Sequence, residues 1–67
     1  MTEKDLKAGG TFEFVNQNNK ATVFFGKDFH GNDTYKLVFN GKITKNVKSY
    51  RIVKKAVEDL KKEYNLK

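Results

Sequence analysis

From Thr11 onward apolar and polar side chains alternate at a period of two, and near residue 49 the period lengthens to that of a helix. Phe12 and Phe14 face one way, with Thr11, Glu13 and Val15 opposite. Residues 16–19 have turn composition. Ala21, Val23 and Phe25 then share one side, with Thr22 and Phe24 on the other, which predicts a β-hairpin. Residues 27–33 read as a loop. Tyr35, Leu37 and Phe39 mark one face of a third strand over residues 34–39, and Asn40-Gly41 is a strong turn signal. Residues 42–47 suit a short fourth strand.

Parity sharpens this pattern, because a one-residue slip moves every side chain of a strand to the opposite face. Phe12 and Phe14 share a face with Val23 and Phe25 if the first loop is even, either two residues at 18–19 or four at 16–19. Phe25 lies beside Tyr35, and Val23 beside Leu37, if the second connection is odd; residues 26–34 satisfy this. A three-residue third loop, with Gly41 left-handed next to a bulge, places Ile43 with Leu37. All three connections fit one antiparallel meander.

Ser49 is placed to cap a final helix, in which Tyr50, Val53, Ala56, Val57, Leu60 and Tyr64 form one apolar stripe. The expected fold is therefore α+β: a three- or four-stranded antiparallel meander sheet with one C-terminal amphipathic helix packed on one face. Residues 1–10 are polar and end in Gly9-Gly10, so they read as a flexible arm, with Thr2 capping at most a single turn. Residues 11–67 form the single domain.

Composition narrows the chemistry. A chain of 67 residues supports one small core, and the absence of cysteine excludes disulfides and thiolate metal sites. No stretch approaches the ~20 apolar residues of a membrane span, and residues 1–10 lack the apolar run of a signal peptide; the expected location is cytoplasmic. His30 is the single histidine and belongs to no Ser/His/Asp set. Asp28, Asp33, Asp59 and Glu63 lack paired-acid or metal-ligand spacing, and no phosphate-loop motif occurs. Neither catalysis, nor a cofactor, nor a metal is expected.

Charge then points to a partner. Residues 1–41 carry five lysines against five acids, whereas residues 42–67 carry nine basic residues against Glu58, Asp59 and Glu63 and hold the whole net charge of +6. Lys42, Lys45, Lys48, Arg51 and Lys54 recur at every third position, and Lys55 follows. Arg51, Lys54 and Lys55 lie at the expected helix start, where the macrodipole disfavours cations and free N–H groups favour an anion. Arg51, the only arginine, is the strongest candidate for a bidentate phosphate contact. Glu58 and Lys62 are spaced for an ion pair along the helix.

The run Thr34-Tyr35-Lys36-Leu37-Val38-Phe39-Asn40-Gly41-Lys42 resembles the opening strand of the immunoglobulin-binding repeat of streptococcal protein G, over nine residues of the chain. The layout resembles the sheet-plus-helix DNA-binding domain of conjugative-transposon integrases and the single-strand-binding domain of the PC4 coactivator type. The expected function is accordingly a small non-catalytic nucleic-acid-binding protein, DNA or RNA. Lys42, Lys45, Lys48, Arg51, Lys54 and Lys55 would grip phosphates, while Lys36 and Phe24 on the uncovered sheet face would meet bases. The alternative is a protein-binding module, an inhibitor or adaptor that docks an acidic partner surface. Dimerisation through the uncovered sheet face is compatible with either.

Overall fold

The alternating segments become four strands in the computed structural model, which describes residues 1–67. The elements are α1 (Glu3–Lys7), β1 (Phe12–Asn16), β2 (Asn19–Lys27), β3 (Asp33–Phe39), β4 (Lys42–Val47) and α2 (Tyr50–Tyr64). The strands form one antiparallel sheet in the order β1-β2-β3-β4, and α2 packs on one face, so the fold is the expected α+β meander.

Two of the three registers follow parity directly. Phe12 lies opposite Val23 and Phe14 opposite Ala21; this is the register of a turn over residues 16–19, closed by the Asn16–Asn19 pair. Val23 meets Leu37 and Phe25 meets Tyr35. The third differs. Asn40 and Gly41 both take positive φ (50° and 86°), the geometry of a two-residue hairpin turn, and pair Val38 with Ile43. A register shift follows within β4, so that Lys45 lies opposite Leu37 and Val47 opposite Tyr35. Ile43 therefore does not join Leu37 but points to the other face, 62% exposed. The physical reason is that Asn-Gly accepts both left-handed positions at little strain, so the tight turn forms and the extra residue moves into the strand. The Thr44 hydroxyl donates to the Leu37 carbonyl across the irregularity (3.0 Å).

The core joins Ala21, Val23, Tyr35 and Leu37 of the sheet to Val53 and Val57 of α2. Tyr50, Ala56, Leu60 and Tyr64 pack at its margin, as their spacing predicts. Two further core residues come from the chain ends. Residues 1–10 are packed against the body rather than forming a loose arm: Leu6 is 0% exposed, and the Tyr35 hydroxyl donates to Glu3 Oε2 (2.6 Å). The Tyr50 hydroxyl donates to the Met1 carbonyl (3.3 Å), and Thr2 Oγ1 accepts from the Asp5 N–H (3.2 Å). The glycine pair is a fixed turn. Gly9 has φ 96°, and a Cβ on Gly10 would stand 2.8 Å from the Asp5 carbonyl oxygen. Composition hid this because one leucine does the anchoring, and one buried leucine contributes ~1.5–3 kcal/mol.

At the other end Asn65 is left-handed (φ 55°, ψ 42°) and turns Leu66 back into the core, with the Leu66 N–H bonded to the Lys61 carbonyl at 3.1 Å. Lys67 is held by its backbone. Its N–H donates to the Val15 carbonyl (3.1 Å) and its carbonyl accepts from the Val15 N–H (3.3 Å). Asn16 Nδ2 donates to the Tyr64 carbonyl at 2.7 Å, tying β1 to the end of α2.

Candidate nucleic-acid interface

The two halves of the chain treat their cations differently. Among the lysines of residues 1–41, Lys7 pairs with Glu3 (3.7 Å), Lys20 with Glu13 (3.1 Å) and Lys27 with Asp33 (3.4 Å). In the basic half only Lys55 meets an acid, Asp59 at 3.7 Å; the spacing-based Glu58–Lys62 pair is not formed. Lys42, Lys45, Lys48, Arg51 and Lys54 have no carboxylate within ion-pair distance.

Three of the sequence-predicted residues, Lys45, Arg51 and Lys55, line one groove, and Lys42 and Lys48 lie next to it on β4 and in the connection to α2. Lys45 faces the helix side of β4, opposite Leu37. Lys42 shares that side, opposite Phe39, whose ring lies 4.8 Å from that of Tyr64. The facing wall is α2. A groove of about 270 Å³ is lined by Lys45, Arg51, Ile52, Lys55, Ala56 and Asp59. It adjoins a second hollow of about 240 Å³ that shares Lys45, Ala56 and Asp59 and is floored by Leu37 and Leu60. Lys48 lies in the connection between the two walls. The start of α2 is open: Ser49 is the N-cap, its side chain makes no capping hydrogen bond, and no acid occupies the first turn.

Three predicted residues lie elsewhere. Lys54 is on the opposite edge of α2, beside Met1, Phe14, Glu58 and Lys61, where the Lys61 ammonium stands 4.7 Å from the Phe14 ring. Lys36 and Phe24 are on the sheet face away from the helix, and neither is presented there as expected. Lys36 is buried: its ammonium donates to the Gly26 carbonyl (2.9 Å) and to Thr34 Oγ1 (2.8 Å), and Thr34 Oγ1 donates in turn to Asn46 Oδ1. Phe24 is half-buried, with the Lys36 ammonium 6.0 Å from its ring centroid. Same-face neighbours across the strands cover one another, and an ammonium already holding two acceptors is poorly placed to take a phosphate. Both residues leave the interface.

Sequence reasoning missed Ile52, which lines the groove at 47% exposure. Its signal was visible as an isoleucine off the apolar stripe of α2. No family model matches the chain, and no curated protein or solved structure matches it. No helix is long and apolar enough to cross a membrane. No group of three or more His, Cys, Asp or Glu side chains is placed to hold a metal ion.

Proposed function

We propose that the protein is a small non-catalytic nucleic-acid-binding protein of the cytoplasm, which grips phosphates with Lys42, Lys45, Lys48, Arg51 and Lys55. The observation that carries this reading is that four of these five cations, all but Lys55, have no carboxylate within ion-pair distance, next to a helix start with neither a side-chain cap nor an acid. Unpaired cations and free N–H groups at one end of a helix favour an anion there. Lys54, on the far edge, adds to the field without sharing the groove. Titration of short single- and double-stranded DNA and RNA against salt tests the reading. Five phosphate contacts on duplex DNA give a log–log slope of about −4 to −5. Arg51→Ala lowers affinity and flattens the slope by about one contact; Lys7→Ala, in the neutral half, changes neither. Absence of binding to every one of these nucleic acids at low salt removes the reading.

The second reading, a module that docks an acidic protein surface, is favoured by one feature that phosphate recognition leaves unused: the groove has an apolar floor of Leu37, Ala56 and Leu60.

A further inference from the structure

We propose that the outer edge of β4 accepts an extended, acidic segment of another protein as a fifth strand, with alternate side chains of that segment entering the groove under α2. The proposal rests on the protein-docking reading; it shares its cations with the phosphate reading and adds two features that phosphate binding does not use, an unpaired strand edge and the exposed isoleucines beside it. β4 has no strand on its outer side. The exposed large apolar residues are few: Val15, Phe29, Ile43 and Ile52. Two of them flank this one edge, Ile52 on the helix side and Ile43 on the other face. A strand added here covers both, because its side chains alternate between the two faces.

Charge selects the occupant. The edge carries Lys42 and Lys45, and Arg51 and Lys55 line the facing wall. Edge lysines and a bulge are devices that prevent a strand from pairing with its own copies. Two copies paired through β4 would set these lysines against one another on chains of net charge +6 each, so a second copy is the wrong occupant. The same lysines attract a strand that alternates apolar with acidic residues. Asp59 sits in the same wall and pairs with Lys55 at 3.7 Å, which leaves Lys45 and Arg51 as the cations free to meet incoming carboxylates.

The test uses the full chain and a peptide of about eight residues, a common strand length, alternating valine and glutamate. Binding is read by amide chemical shifts and hydrogen exchange. The expected result is binding with shifts confined to β4 and the facing edge of α2, together with slowed exchange along β4. Lys45→Glu and Ile52→Asp each weaken it by about tenfold or more. Lys45→Glu changes an exposed side chain and serves alone if Ile52→Asp disturbs the helix; circular dichroism checks both. A backbone N-methylated peptide and a lysine-for-glutamate peptide do not bind. The proposal is overturned by absence of binding at millimolar peptide, by equal binding of either control peptide, or by shifts that map away from β4. Its fate is separable from the phosphate reading: peptide binding without nucleic-acid binding removes only that reading, and the reverse removes only the strand site.

Discussion

β1 and β4 are both edge strands, and the chain finishes them in opposite ways. On β1 the chain end folds back, and Lys67 exchanges two backbone hydrogen bonds with Val15 while Leu66 enters the core. Asn16 adds a bond to the last turn of α2. On β4 nothing lies alongside; the edge holds two lysines, a register shift and an exposed isoleucine. Backbone pairing satisfies an edge and removes it from use. Charge only screens it, and does so selectively, because lysines that repel a like edge attract an acidic one. The two edges thus differ in what they leave over: the segment that closes the β1 side contributes to the core, and the outer edge of β4 has no backbone partner.

The largest effect is expected from removing the chain end that feeds the core without touching either edge. A chain starting at Thr11 loses Leu6 from the core and the Glu3 acceptor from Tyr35, and is expected to be largely unfolded. Leu6→Ala alone costs ~2–5 kcal/mol, read by urea denaturation. A Thr11 start that kept the full melting temperature would show that α1 adds nothing.

Deleting Leu66 and Lys67 ranks next. It withdraws a buried leucine, a loss of ~1.5–3 kcal/mol, and opens the edge at Val15, so self-association in sedimentation velocity should rise with the fall in stability. The matching change on the other edge, Ile43→Thr, should stay within ~0.5 kcal/mol.

Glycines give a finer version. A Cβ on Gly10 meets the Asp5 carbonyl oxygen at 2.8 Å, whereas one on Gly26 meets nothing within 4 Å. Gly10→Ala should destabilise by ~1–3 kcal/mol, and Gly26→Ala should be close to neutral in the same thermal melts.

The smallest effect is one of pH. Burial, with the Glu3 carboxylate beside it, raises the Tyr35 phenol from 10.0 to about 12. The folded state therefore favours the neutral phenol, and its contribution is complete below pH 10 and lost as pH rises through about 12. The melting temperature of the parent should fall between pH 10 and 12 by more than that of Tyr35→Phe. Parallel curves would mean that the hydroxyl is not held against Glu3.

Much of the fold is legible along the chain because it repeats. Phe12, Phe14, Val23, Phe25, Tyr35 and Leu37 alternate, so each position checks the next, and parity carries the register across two connections. The stripe from Tyr50 to Tyr64 sets the buried side of α2 for the same reason. The sign of the surface is legible too, since charge is counted without geometry. The interface was only partly legible. Which cations converge depends on how the stripe phases α2 against β4: that phase turns Arg51 and Lys55 toward Lys45 and sends Lys54 to the opposite edge. Lys36 lies on the expected face, but its burial was not legible because its two acceptors become neighbours only once β2 and β3 are paired.

Periodicity, parity, turn chemistry and net charge were therefore determined by the sequence alone, each being a sum over several residues that agree. The docking of Leu6 and Leu66, the position of the shift within β4 and the open edge beside α2 were decided by tertiary structure. Each rests on one side chain or one strand boundary. A single contact has no period to announce it, and its energy exists only when the surfaces it joins are already in place.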